Sequence, residues 1–114
     1  MTSQAINRED QSASRRLYVL VRLDLPWPQR AVQAAHAAAS LAFSLRDRIG
    51  EETWGVHGPA FIFFGVSGER ELEQWGDLLG PAGIGFREPD LAGQLTAFAY
   101  LGHRRPEFAG LRLL

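Results

Sequence analysis

The chain lacks cysteine and lysine altogether across its 114 residues. Without cysteine there is no disulfide, no thiolate nucleophile and no cysteine-based zinc site. Without lysine there is no Schiff base, no lysine general base and no Walker-type phosphate lysine. All twelve basic residues are arginine. No apolar run approaches the roughly 20 residues that a membrane span needs. The opening "MTSQAINREDQSASRR" is polar and has no apolar stretch of the secretory kind, so a cytoplasmic protein with no membrane partner is expected. Excess charge is missing as well. The formal net charge is -1, which gives no bulk attraction to nucleic acid or membrane.

What is present is enough for one core. At 46% hydrophobic residues the chain can close a single compact domain, and it is too short for two. Residues 1 to about 15 offer little to bury and read as a disordered tail, which leaves 16–114 as the domain. Charge is uneven along it. Arg15, Arg16, Arg22, Arg30, Arg46 and Arg48 stand against Asp24 and Asp47, residues 51–90 are acidic, and "HRRPEFAGLR" is basic again. These are either ordinary solvated faces or one positive surface, built from the first and last segments, that meets a polyanion.

"LYVLVRLDL" (17–25) reads as a central strand, apolar on both faces at its start. Pro26 and Pro28 end it and fit a helix start. A helix follows over about 29–48, then the Gly-rich connection "GEETWGVHGP" and a buried strand "AFIFFGV" (60–66). Ser67 is placed to cap a helix over 69–79, with Glu69 and Glu71 at its positive end and Leu72, Trp75, Leu78 and Leu79 on its apolar side. "IGFRE" and "LTAFAYLG" are two further strands joined by "PDLAGQ", short enough for a hairpin. The order β-α-β-α-β-β predicts an α/β fold, a small mixed four-stranded sheet with helices packed on it.

The first helix holds the chemistry. On a wheel, Val32, Ala35, Ala39 and Phe43 form an apolar stripe that Ala34, Ala38, Leu41, Ala42 and Leu45 widen. The remaining arc carries Arg30, Gln33, His36, Ser40, Ser44 and Asp47. Gln33 and His36, three apart, are neighbours in the first turns, beside the carboxyl end of the first strand, where open α/β sheets bind ligands. Read alone, they fit a structural histidine and a helix filler as well as a site.

"VRLDL" followed by "AVQAAHAAA" resembles the start of the type-2 peptidyl-tRNA hydrolases, through Arg22, Asp24, Leu25, Gln33, His36, Ala37 and Ala38. "REPDLAGQLTAFA" is similar to the family's Asp-containing loop and Thr strand, through Asp90 and Thr96. The match runs over roughly 17–101. The family's lysine-bearing glycine loop is replaced by "PWPQR", where Arg30 supplies the charge, and the Asp loop is expanded. The resemblance implies hydrolysis of the ester between a peptide and the 3′ end of tRNA, with no cofactor. His36 would be the general base, since imidazole ionises near neutrality. Asp24 or Asp90 would fix its tautomer, and Gln33 and Thr96 would position water or donate to the oxyanion. Arg30, Arg104 and Arg105 would hold phosphates. Structural readings stand beside these: Asp24 as a loop cap, Thr96 as a strand former, Arg104 and Arg105 as plain surface. The three histidines are scattered with no paired spacing, which argues against a metal site. A non-catalytic relative that binds RNA or a protein partner is the other class left open, and so is a homodimer.

Overall fold

The computed structural model describes residues 15–47 and 58–114. Most of the segment read as a tail, and most of the Gly-rich connection, fall outside the described residues. The elements run β1 (Arg16–Arg22), α1 (Trp27–Ser44), β2 (Ala60–Val66), α2 (Glu69–Leu79), β3 (Gly83–Glu88), β4 (Gln94–Gly102) and β5 (Arg112–Leu113). They form one mixed sheet in the order β3-β4-β1-β2-β5. β1 pairs with β2 in parallel, and β4 with both β1 and β3 antiparallel. The expected α/β class and the β3–β4 hairpin stand. The sheet has five strands rather than four, because the last residues return antiparallel to β2 through Phe64 and Gly65.

β1 is central, and its residues from Leu17 to Arg22 are all buried. Its alternation divides the core. Leu17, Val19 and Val21 pack under α1 with Ala34, Ala37, Ala38, Leu41, Ala97 and Ala99. Tyr18 and Leu20 face the other way and pack under α2 with Phe64, Val66, Leu72, Leu79, Phe98, Tyr100 and Phe108. A sheet with a helix on each face must be apolar on both, and β1 is.

α1 starts earlier than expected, at Trp27 just after Pro26, and ends at Ser44. Its buried face is also rotated. Gln33, Ala34, Ala37, Ala38 and Leu41 face the sheet, while Val32 is 46% and Phe43 67% exposed. So many alanines leave the wheel apolar over most of its circumference. The side that faces inward is the one that carries Gln33 to its buried partners. α2 runs as expected, but its cap is reversed. Gly68 is the N-cap, and Ser67 donates from both N–H and Oγ to Glu71 Oε1, each at 2.8 Å. Leu78, expected inside, is 45% exposed. No helix among the described residues is long and apolar enough to cross a membrane.

Candidate functional site

Gln33 sits in the middle of the buried face of α1 and is fully buried. A buried primary amide needs partners on both sides, and it has them. Its Oε1 accepts from Thr96 Oγ1 at 2.8 Å. Its Nε2 donates to Glu88 Oε1 at 2.9 Å and to Gln29 Oε1 at 3.2 Å. Thr96 is itself fully buried, and the Phe86 carbonyl lies 3.2 Å from its hydroxyl as a second acceptor.

A fault in the β3–β4 ladder puts Thr96 there. Phe86 pairs with Ala97 but Arg87 pairs with Leu95, so Thr96 is the extra residue of a bulge. A bulge re-aims a side chain that strict alternation would send elsewhere. Here it brings the Thr96 hydroxyl to α1, on the face where Ala97 already packs. The hairpin closes through a short turn, Pro89–Leu91, with Glu88 as its cap. Ala92 and Gly93 then take left-handed backbone, φ 56 and 75, a conformation that suits glycine at the second position. The Asp90 N–H donates to Glu88 Oε2 at 3.3 Å. Glu88 is thus held at both oxygens. The Gln33 amide, then the Asp90 N–H, hold its carboxyl below the usual carboxylate range, with a smaller electrostatic contribution from His36 in the same direction.

His36 projects one turn further along α1 and is exposed. Its ring lies flat on Phe86, with centroids 4.5 Å apart and planes 5° from parallel. One face of the imidazole is therefore covered and its orientation set, while its edge remains open. The structure brings four residues to one face: His36 set on Phe86, Glu88 bonded to Gln33 and within electrostatic reach of His36, and the Gln33–Thr96 pair.

Other residues singled out in the sequence are elsewhere or otherwise engaged. Asp24 forms a two-point ion pair with Arg22, Nε–Oδ1 and Nη2–Oδ2 both at 2.9 Å. Arg22 also donates to Gln94 Oε1 and to the carbonyl of Leu95, whose side chain packs on the α2 side. The Arg22 guanidinium holds the Asp24 carboxyl below its usual range. Asp24 thus faces Arg22 and the start of α2, not His36. Asp90 reaches the site through its backbone rather than its carboxylate. Arg30 clamps the β1–α1 loop, donating to the Leu25 and Leu23 carbonyls at 2.7 Å each. Arg105 pairs with Glu107, and Arg104 is exposed. Among the described residues no group of three or more His, Asp or Glu is placed to hold a metal ion.

Glu88 is the residue that sequence reasoning passed over. Its signal was local: a glutamate directly before Pro89, at a strand end, in position to cap the turn that follows. What local pattern does not show is that the alternation of β3 carries Glu88 to the α1 face with Ile84 and Phe86, so that this carboxylate, and not that of Asp90, meets Gln33.

No family model matches the chain, and no curated protein matches it. Its fold does have solved counterparts. A protein of unknown function from Agrobacterium tumefaciens superposes with a TM-score of 0.62 at 15% identity, over 89% of this chain and 98% of its own. At that identity the likeness is one of fold.

Proposed function

We propose that the chain is an ester hydrolase of the peptidyl-tRNA hydrolase type, acting in the cytoplasm on the bond between a peptide and the 3′ end of tRNA. The observation that supports this most is the run of bonds from Thr96 through Gln33 to Glu88. It joins the two separate segments that resemble that family, and it ends beside an exposed, oriented His36. In this reading His36 takes a proton from water as the oxygen attacks the ester carbonyl. The Glu88 carboxylate stabilises the imidazolium that forms. His36 then returns the proton to the departing 3′ oxygen, so acid and base roles balance. Phosphates would meet the remaining N–H groups of Arg30, together with Arg104 and Arg105.

Gln33 and Thr96 act through Glu88 in this scheme. Both Nε2 hydrogens of Gln33 and the single hydroxyl hydrogen of Thr96 are engaged, so neither has a donor left for an oxyanion. That same observation favours the second reading, a non-catalytic relative that binds RNA or protein through this surface. Incubation of the purified protein with N-acetyl-aminoacyl-tRNA, following released tRNA, separates the two. Release above the uncatalysed rate, lost in His36→Ala, is expected. Tight tRNA binding without release assigns the second reading.

A further inference from the structure

A second concave feature lies across the sheet from His36. Between α2 and β3 there is a cavity of about 680 Å³, within the range of roughly 300–1,000 Å³ typical of ligand sites. Leu95 and Phe98 form its floor, Glu73, Gly76 and Asp77 its α2 wall, and Gly85 and Arg87 its β3 wall. Gly85 keeps it open. A Cβ there would lie 2.7 Å from Leu95 Cδ1 and 3.4 Å from Phe98 Cδ2, so no side chain rises from β3 on this side until Arg87.

The same strand has an unused edge. β3 is the last strand of the sheet and pairs with β4 alone among the described residues. The Phe86 carbonyl accepts from Thr96 and the Glu88 carbonyl from the Gly93 N–H, so both point inward to β4. Along an extended strand successive carbonyls point to opposite edges, which turns the amide groups of Gly85 and Arg87 outward. Proteins shield such edges with charged side chains, proline or a bulge. In β3, GIGFRE, the only charges are Arg87 and Glu88 at its end, it contains no proline, and the bulge lies on the β4 side, so Gly83–Phe86 carries no such guard.

Charge selects the occupant. Glu73 and Asp77 are one helical turn apart on α2, and neither carboxylate has a hydrogen-bond or ion-pair partner among the described residues. Arg87 gives one of its N–H groups to the Gly93 carbonyl. The groove is left with an excess of negative charge next to free backbone.

We propose that the β3 edge and this groove dock an extended peptide segment that carries arginine or lysine. The segment adds as a further strand on Gly85 and Arg87. Paired residues point to the same face of a sheet, so the side chain opposite Gly85 enters the cavity toward Glu73 and Asp77. The neighbouring side chains fall on the other face, beside Ile84 and Phe86, and are best apolar. The proposal does not rest on the reaction proposed for His36, although the apolar side chains would lie beside Phe86, which carries the His36 ring.

The probe is a fluorescein-labelled peptide, acetyl-Thr-Val-Arg-Val-Thr-amide, compared with its twin bearing Glu in place of Arg, and with an N-methylated form that cannot donate to a ladder. Anisotropy titrations should show the Arg peptide binding at least about 10-fold tighter than either control. The Glu73→Gln/Asp77→Asn double variant changes exposed side chains only. It should keep the native circular dichroism and lose the preference for Arg over Glu. Amide shifts in NMR should centre on Gly85 and Arg87. Equal affinity for the Arg and Glu peptides, indifference to N-methylation, or no binding overturns the proposal. So does a concentration-dependent dimer that protects the β3 amides with no peptide present, because the edge then belongs to a second copy.

Discussion

The two faces of the sheet are closed with different materials. Under α2 the contacts are between rings: Tyr18, Phe64, Tyr100 and Phe108 form a cluster with centroids 4.8 to 6.2 Å apart. Under α1 they are between methyl groups, with Ala34, Ala37 and Ala38 set against Ala97 and Ala99. The difference has a consequence for chemistry. Rings hold a helix away from a sheet, whereas alanines let it approach closely. On the alanine face the amide of Gln33, on a helix, reaches a strand hydroxyl at 2.8 Å and a carboxylate at 2.9 Å. The ring face supplies bulk apolar burial, and the alanine face supplies a place where polar groups can be fixed.

Substitutions on the two faces should therefore fail in different ways. Phe108 is fully buried and touches four other rings. Phe108→Ala should cost about 3–5 kcal/mol of stability in denaturant unfolding, with little change in tRNA release per folded molecule. His36→Ala should do the reverse. The ring is exposed and stacks on Phe86, so the stability loss should be about 1 kcal/mol or less, while loss of a positioned base should lower release about 10²- to 10⁴-fold. A His36→Ala protein that unfolds as easily as Phe108→Ala, or that releases tRNA normally, removes the distinction between the faces.

Gln33→Leu sharpens it from inside the alanine face. Leucine keeps the volume but removes every bond of the amide. Thr96 can turn to the Phe86 carbonyl at 3.2 Å, so the hydroxyl is not orphaned. Glu88 loses its main donor, and its carboxyl should rise toward the ordinary range. The expected cost is roughly 1–3 kcal/mol, with release reduced less than in His36→Ala. A stability cost with no effect on release would mean that the buried amide serves packing only.

Much of the scaffold was legible because it follows local rules. β2 and α2 have the bounds that hydropathy and Gly/Pro punctuation give, and Gln33 and Thr96, singled out in two separate segments, are bonded to each other. What could not be read depends on relations across the sheet. Hydropathy could not orient α1, since an alanine helix has little amphipathic signal, and it placed Gln33 on a polar arc when it is the best-satisfied buried side chain of the helix. The role of Glu88 lies in a run of bonds across three elements, Thr96 to Gln33 to Glu88, that no local pattern shows. Arg22 and Asp24 read as a motif in the sequence. In the structure the pair is part of how β1 is tied to β4, through Gln94 and Leu95, on the side away from His36.

Asp24 gives the smallest effect and the closest test of that division. Its carboxyl is held below the usual value by the Arg22 guanidinium. A carboxyl lowered in the folded state contributes stability that is fully present above its unfolded value, near ~3.9, and is lost as the pH falls through the lower folded value. Asp24→Asn should then cost stability at neutral pH, and wild type and variant should converge in acid, below about pH 4. The Asp24 side chain is 45% exposed, so solvent screens the pair and the neutral-pH cost should be only about 1 kcal/mol. Release of tRNA at neutral pH should be unchanged, because the carboxylate faces Arg22 rather than His36. Urea unfolding of the two proteins at several pH values, with release measured in parallel, checks both halves. A fall in release comparable to that of His36→Ala would place Asp24 in the service of the histidine and make the sheet a bridge between its two faces rather than a partition.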